Sequence, residues 1–354
     1  MSSNKPILVI GAGPTGLQAA RGIADLGQRA ILLEQRESLG GTPISESYAG
    51  LTPDQRDAGE AIGEIVDAVK SSPNVEIRTG TVVTKVTGEA PNLVVTLRSA
   101  AGEEQVEVGA AIVATGFQHF DPGRETQMYG YYEYDDVVTL VDAEKMLKAH
   151  EVKRPSNGEA PKQVCFIQCV GSRDRQIGNK WCSKVCCGIA CQESIEIKRQ
   201  LPDCKVFVFY IDMRTYGFWE DELYWKAQEE HKVNFVRGIV TEITKRGDKL
   251  VVKGEDTTMG RPMEVEMDMV ILSVGMEPSQ GTKDMAKVFS LPLESHGWIA
   301  TMYAPLDTVT TKRPGVFAAG AATGPADLED SVSAGMAAAM KSVAFLRRHG
   351  VEAA

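Results

Sequence analysis

Two groups of residues in this 354-residue chain could do chemistry. Of its seven cysteines, six (Cys165, Cys169, Cys182, Cys186, Cys187 and Cys191) fall in one short stretch, and Cys204 lies just beyond. Thiolates are soft ligands for zinc or iron–sulfur clusters, and they are also redox nucleophiles. The second group is the loop Gly11-Ala12-Gly13-Pro14-Thr15-Gly16. In a G-x-G-x-x-G loop the first glycine permits a tight turn and the second lets the backbone approach a pyrophosphate. The third lets the following helix pack closely on its strand. The phosphates then rest at the positive helix N-terminus. Glu34 follows Gly11 at the spacing of the acidic residue that accepts hydrogen bonds from the adenosine ribose hydroxyls and disfavours a 2′-phosphate. A glycine turn that binds nothing is the competing reading. It is disfavoured because the loop follows a strand, opens a helix and is paired with the acidic residue.

These residues need a scaffold, and hydrophobic patterning supplies one. Ile7–Ile10 is a short buried strand, residues 14–26 are helical, and Ala30–Leu33 is the next strand, giving a βαβ unit. Residues 75–77, 82–86 and 93–97 alternate apolar and polar and predict a small antiparallel appendage. Residues 110–114 are again a buried strand, and a helix is expected over 143–150. Pro155-Ser156-Asn157-Gly158 is expected to be a linker. A second α/β unit follows, with strands at 164–167, 206–211, 233–240, 250–253 and 270–274 and a helix over 184–199. The chain then returns with a strand at 316–320 and a long Ala-rich helix from 328 to 348. The expected architecture is α/β. A Rossmann-type dinucleotide-binding domain is built from residues 1–155 and 278–354, and a second α/β domain, 156–277, is inserted between them and carries the cysteines.

Three chemistries compete for the cysteines. A structural zinc site generally uses C-x2-C knuckles, and the sequence contains none. The same absence removes the usual dithiol signature of disulfide oxidoreductases. Some of the cysteines are expected to be small buried hydrophobes, Cys204 and Cys165 above all. Cys182 and Cys186, and likewise Cys187 and Cys191, would share a helical face if the stretch were regular. Four thiolates from this set would suit an iron–sulfur cluster, with the choice between Cys187 and Cys191 open at this point.

Bulk properties exclude other classes. The net charge of −10 and the lack of a Lys/Arg cluster argue against a nucleic-acid partner. No stretch reaches the roughly 18 apolar residues of a membrane span. Met1–Pro6 carries no apolar signal segment, so a cytoplasmic protein is expected. There thiols stay reduced. The five histidines are scattered, and no acid–base or nucleophile constellation is visible.

Further motifs resemble the flavoproteins with two nucleotide-binding domains. Ala114-Thr115-Gly116 ends a buried strand, Leu272-Ser273-Val274-Gly275 repeats that pattern, and Gly315-Val316-Phe317-Ala318-Ala319-Gly320 is similar to the late strand beside the flavin ribityl chain. The resemblance implies FAD held by Gly11, Ala12, Gly13, Pro14, Thr15, Gly16, Glu34, Gln35, Gly41, Thr42, Val83, Ala114, Thr115, Gly116, Gly320 and Ala321. One departure is that Ala321 follows Gly320 where most members carry an Asp. Binding there would rely on backbone groups and on the N-terminus of the helix near 328–332, whose positive end would favour a reduced, anionic flavin.

The run Cys169-Val170-Gly171-Ser172-Arg173-Asp174 followed by Cys182-Ser183-Lys184-Val185-Cys186-Cys187 has the spacing C-x12-C-x3-C-C. It resembles the core of the A-type polypeptide of heterodisulfide reductase. Tyr129-Gly130-Tyr131, Arg214-Thr215-Tyr216-Gly217, Val236-Arg237-Gly238, Val274-Gly275-Met276-Glu277-Pro278 and Gly324-Pro325-Ala326-Asp327 agree with that family. The resemblance implies a 4Fe-4S cluster on Cys169, Cys182, Cys186 and Cys187, with Cys191 a nearby non-ligand. It also implies partners like the B and C subunits of that reductase, a homodimer, and electron relay between the cluster and a partner or NAD(H). The chain lacks the ferredoxin-type cysteine runs of the methanogen proteins. This short form is similar to the corresponding polypeptide of heterodisulfide-reductase-like complexes in sulfur-oxidising bacteria. The flavoprotein component of a quinone-interacting complex and a pyridine nucleotide:disulfide oxidoreductase are the alternatives.

Overall fold

The computed structural model describes residues 5–303 and 305–351. The lead-in expected at residues 1–4 lies outside the described residues. The chain divides into two compact units, one comprising Met1–Ser45, Glu60–Gln118 and Glu277–Ala354, the other Glu46–Gly59 and His119–Met276.

The first unit starts with β1 (Ile7–Ile10), α1 (Pro14–Asp25) and β2 (Ala30–Leu33). Helix α2 (Ala58–Lys70) leads to β3 (Val75–Arg78). Then come β4 (Val82–Thr87), β5 (Leu93–Ser99), β6 (Gly102–Val108) and β7 (Ala110–Val113). In the second unit β8 (Val137–Thr139) and α3 (Leu140–Lys148) precede β9 (Gln163–Val170) and α4 (Cys186–Gln200). Strands β10 (Lys205–Tyr210), β11 (Asn234–Arg246), β12 (Lys249–Asp256), β13 (Arg261–Met267) and β14 (Met269–Val274) complete it. The chain returns to the first unit with α5 (Gln280–Val288), β15 (Val316–Ala318) and α6 (Leu328–Arg348).

In the first unit a parallel five-stranded sheet runs β15-β7-β1-β2-β3. Strands β1, β2 and β7 are buried at every position, because α1 and α6 cover one face of the sheet and the β4–β6 strands, with Met285 and Phe289, cover the other, which leaves no solvated side to alternate with. Helix α6 packs against α1. Strand β3, expected in the antiparallel appendage, instead pairs parallel with β2. The appendage is β4-β5-β6, and its last strand was not anticipated because its exposed residues include four in a row, Gly102–Gln105.

The second unit holds a seven-stranded sheet in the order β8-β14-β9-β10-β11-β12-β13. The β8 to β11 part is parallel, and β11, β12 and β13 form an antiparallel meander. Besides the excursion Glu46–Gly59, the chain passes into this unit at 118/119, ahead of the expected 155/156, and β8 pairs with β14 at the sheet edge. The 155–158 segment is anchored. Arg154 pairs with Asp136 (2.8 Å) and Asp248 (2.7 Å), and the Ser156 hydroxyl donates to Asp136. Helix α4 begins at Cys186, so Cys182 lies in the preceding loop and shares no helical face with Cys186.

Candidate functional site

In the first unit the β1–α1 turn is drawn tight by its glycines. Gly11 takes φ +102°, and a Cβ there would overlap the Ala114 carbonyl, whose carbon is 3.0 Å away. A Cβ on Gly16 would overlap the Gly11 carbonyl oxygen. Gly13 faces more open space, the nearest atom to an added Cβ being Gly41 Cα at 3.7 Å. Gly13 is also the N-cap of α1, with Pro14 next. It makes no side-chain capping bond, and the first turn holds no acidic residue. A helix that begins with uncapped amides suits an anion.

Glu34 is buried and tied to this loop. Its Oε2 accepts from the Ala12 amide at 2.9 Å and its Oε1 from the Arg36 amide at 3.0 Å. Each oxygen keeps a further acceptor direction for a ribose hydroxyl. Gln35 is exposed, and Gly41 and Thr42 open the short helical turn Thr42–Ser45. The Val83 side chain is buried in the core with Leu93 and Leu97.

The Ala114–Gly116 turn is fixed by two residues that sequence reasoning missed. Ser279 donates to the Thr115 carbonyl at 3.0 Å and caps α5. Thr282 lies 2.8 Å from the Thr115 hydroxyl and donates to the Gly116 carbonyl at 2.9 Å. Gly320 (φ +64°) opens a buried turn with Ala321 and Ala322. The N-terminus of α6 is not a bare positive end. Asp327 caps it by accepting from the Asp330 amide at 2.7 Å, and Glu329 and Asp330 occupy the first turn. Three carboxylates offset the helix dipole, so the field expected to favour an anionic flavin is cancelled in large part.

In the second unit the cysteines separate into two classes. Cys165 lies on β9 and Cys191 on α4; both are buried, and burial pushes both thiols up. Cys204 is pushed up to about 11, by burial first. These three behave as small hydrophobes. Cys169, Cys186 and Cys187 form a connected group. Cys169 is held below the ordinary thiol range because Cys186 donates a hydrogen bond to it, with the Arg173 guanidinium adding to the effect against burial. Cys187 is lowered by its hydrogen bond with Cys186 and by the Arg214 amide. Cys186 is raised as the shared donor. Cys182 stands in the loop before α4, where its sulfur accepts from the Lys184 amide at 3.3 Å.

The backbone is shaped for this group. A register shift breaks the β9–β14 ladder between Ile167 and Val170, and Cys169 takes φ +65°. Bulges of this kind re-aim side chains beside functional sites. Arg173 and Lys184 are also left-handed, a cluster of strain of the sort that persists at such sites. The intervening loop is stapled by Arg173 N to Trp181 O (2.8 Å), Asp174 N to Asn179 O (2.9 Å) and Trp181 Nε1 to Met276 O (2.9 Å). Arg173 pairs with Asp212, which also meets Arg214 at 3.3 Å. Spacing alone could not reveal that Arg173, Asp212 and Arg214 gather here.

The donor chemistry fits an iron–sulfur cluster better than a hard cation, since the group is built from thiols with arginines at its edge. The buried Gln168 amide and Ser172 hydroxyl, which flank Cys169 in sequence, have no hydrogen-bond partner in the protein. Such donors suit cluster or cysteine sulfurs. Among the described residues no group of three or more His, Cys, Asp or Glu is placed to enclose a metal ion. All seven cysteines are free. No helix of the described residues is long and apolar enough to cross a membrane.

Comparison with known proteins places this geometry. The profile of the pyridine nucleotide-disulphide oxidoreductase family matches residues 5–167 and 188–343. The interval it skips, 168–187, contains Cys169, Cys182, Cys186 and Cys187. The chain is 38% identical over 256 residues to the A-type polypeptide of the H2:CoB-CoM heterodisulfide,ferredoxin reductase of Methanothermobacter thermautotrophicus, covering 71% of this chain and 39% of that protein. It is 30% identical over 420 residues to the A-type iron-sulfur polypeptide of the CoB–CoM heterodisulfide reductase of Methanocaldococcus jannaschii, covering 95% of this chain and 63% of that protein. The chain thus spans less than two thirds of these relatives. Among solved structures, thioredoxin reductases from T. acidophilum and Lactococcus lactis each superpose with a TM-score of 0.65 at 19% identity, over 98% and 97% of this chain and 99% of theirs. They share its fold, a Rossmann-type FAD-binding architecture. The resemblance of the chain to the A-type polypeptide of heterodisulfide reductase is borne out by these relatives, and the chain belongs to the pyridine nucleotide-disulphide oxidoreductase family.

Proposed function

We propose that this chain is the FAD- and 4Fe-4S-dependent electron-transfer component of a cytoplasmic heterodisulfide-reductase-like complex that oxidises sulfur compounds. The observation that carries the reading is that the family profile is interrupted over 168–187, where a bulged strand end and a helix start gather thiols of lowered proton affinity. The amides of the Gly11–Gly16 loop would hold the FAD pyrophosphate and Glu34 the ribose. Main-chain groups at Gly41, Thr42, Val83, Gly116, Gly320 and Ala321 would meet the rest. Cys169, Cys182, Cys186 and Cys187 would hold the cluster. When bound, FAD supplies two-electron and the cluster one-electron chemistry. The residues of the chain position these groups, exclude water from Cys169 and Cys186, and supply arginine charge beside the thiolates. B- and C-like subunits are the partners, and a homodimer is the expected assembly.

A second reading, a flavin dithiol oxidoreductase, is favoured by the hydrogen bond between Cys186 and Cys169. Anaerobic purification followed by quantification of flavin, iron and sulfide separates the two. About one FAD and four irons per chain supports the cluster. Flavin without iron, with turnover of NADH and a small disulfide, replaces it by the dithiol enzyme.

A further inference from the structure

Helix α4 carries a second feature that the cluster does not explain. Glu193, seven residues after Cys186, is fully buried, and neither of its carboxyl oxygens has a hydrogen-bond partner. Seven residues are close to two helical turns, so Glu193 lies on the Cys186 face, roughly 10 Å along the axis. An unpaired buried carboxylate is costly, so such a group is retained neutral or in contact with a partner that shares its proton.

The partner is on the adjoining helix. Glu144 of α3, itself buried, raises the proton affinity of Glu193 by charge repulsion, after burial. Glu144 accepts from the Ala49 amide at 2.6 Å and is pushed up to about 7, by burial first. The half-buried Tyr48 lies beside both carboxyls and is bonded to His119 Nε2 at 3.0 Å. Burial lowers His119 to about 4, so this ring is neutral near pH 7. The other charged groups facing the cluster are Glu46 from the Tyr48 segment, Asp142, Lys145 and Lys148 from α3, and Glu196 from α4. Only the two lysines are positive, and neither bonds to Glu193.

We propose that Glu144 and Glu193 form a buried carboxyl pair that holds one proton at neutral pH and takes up a second from solvent when the redox group at the Cys186 end of α4 gains an electron. This rests on the cluster reading above. One electron arrives from a one-electron donor, one proton arrives from solvent at the ionised carboxylate, and no other bond changes. A unit charge added roughly 10 Å away, in a medium of effective dielectric about 20, changes proton affinity about tenfold. Glu144, pushed up to about 7, lies close enough to neutrality for that change to move it.

The test compares wild type, Glu193→Gln and Glu144→Gln, each anaerobically loaded with iron and sulfide. Iron content is measured first, so loss of the cluster reading is seen separately from loss of this one. Infrared spectra of the cofactor-free chains at neutral pH should show a protonated carboxyl band that shifts in D2O and is weaker in Glu193→Gln. Redox titration of the iron chromophore from pH 6 to 8.5 should give a potential that falls as pH rises in wild type and is nearly flat in both variants. No carboxyl band in wild type, or a pH-independent potential in iron-loaded wild type, overturns the proposal. An unchanged slope in both variants overturns it as well.

Discussion

Replacing Gly16 or Gly13 with alanine should separate the two jobs of the nucleotide loop. At Gly16 an added Cβ overlaps the Gly11 carbonyl oxygen and approaches its carbon to 3.0 Å. Both are main-chain atoms that cannot swing aside. Alanine returns up to about 1 kcal/mol of helix propensity, but overpacking against backbone costs about 1–3 kcal/mol or more. The net loss of about 1–2 kcal/mol lowers the melting temperature by several degrees even without cofactor. At Gly13 the nearest atom to a Cβ is 3.7 Å away, and φ is −75°. Gly13→Ala should therefore melt with wild type as apoprotein. It should nonetheless bind FAD poorly, since a methyl over the uncapped amides excludes a phosphate oxygen. Loss of one charge-assisted hydrogen bond is worth about 1.5–3 kcal/mol, or roughly 10- to 150-fold in affinity. The assay is thermal melting of the apoproteins together with flavin titration by fluorescence. Wild-type affinity in Gly13→Ala, or an unshifted melt in Gly16→Ala, would refute the assignment of these two roles.

Other substitutions probe the remaining parts. Cys187→Ala should abolish iron retention. Cys191→Ala should keep iron at the wild-type level and cost about 1 kcal/mol through the small cavity it leaves, read by iron analysis and melting on the same samples. Arg154→Met leaves Asp136 buried without its cation and should destabilise by about 3–5 kcal/mol in chemical denaturation, whereas Asp248→Asn, at an exposed partner, should leave the denaturation midpoint close to that of wild type. Glu144 has a folded-state proton affinity above that of an unfolded carboxyl, so the folded chain binds more protons. Its stabilising share is complete below about pH 4.5 and is lost as pH rises through about 7, by roughly 3 kcal/mol at most. Melts between pH 5 and 8 should show Glu144→Gln with a flatter decline, and parallel curves for the two proteins would contradict it.

The sequence by itself determined what depends on neighbours along the chain. The Gly11–Gly16 loop, the placement of Glu34 at a strand end, the buried strands 7–10, 30–33 and 110–113 and the long final helix follow from local spacing and periodicity. So does the C-x12-C-x3-C-C run. Tertiary structure alone decided matters that join distant residues. Strand 137–139 moved the unit boundary by pairing with 269–274, and strand 75–78 joined the main sheet because its register partner is 30–33. Cys191 looks like Cys187 in sequence, yet a helix face seals it in the core, while a bulge turns Cys169 toward Cys186. Asp327, Glu329 and Asp330 were legible as residues. Their effect on the α6 dipole was not, because it depends on where the helix starts. Tyr48, His119, Glu144 and Glu193 are far apart in the chain. Only packing brings them together, and burial, which no single segment encodes, raises the affinity of both carboxyls for protons.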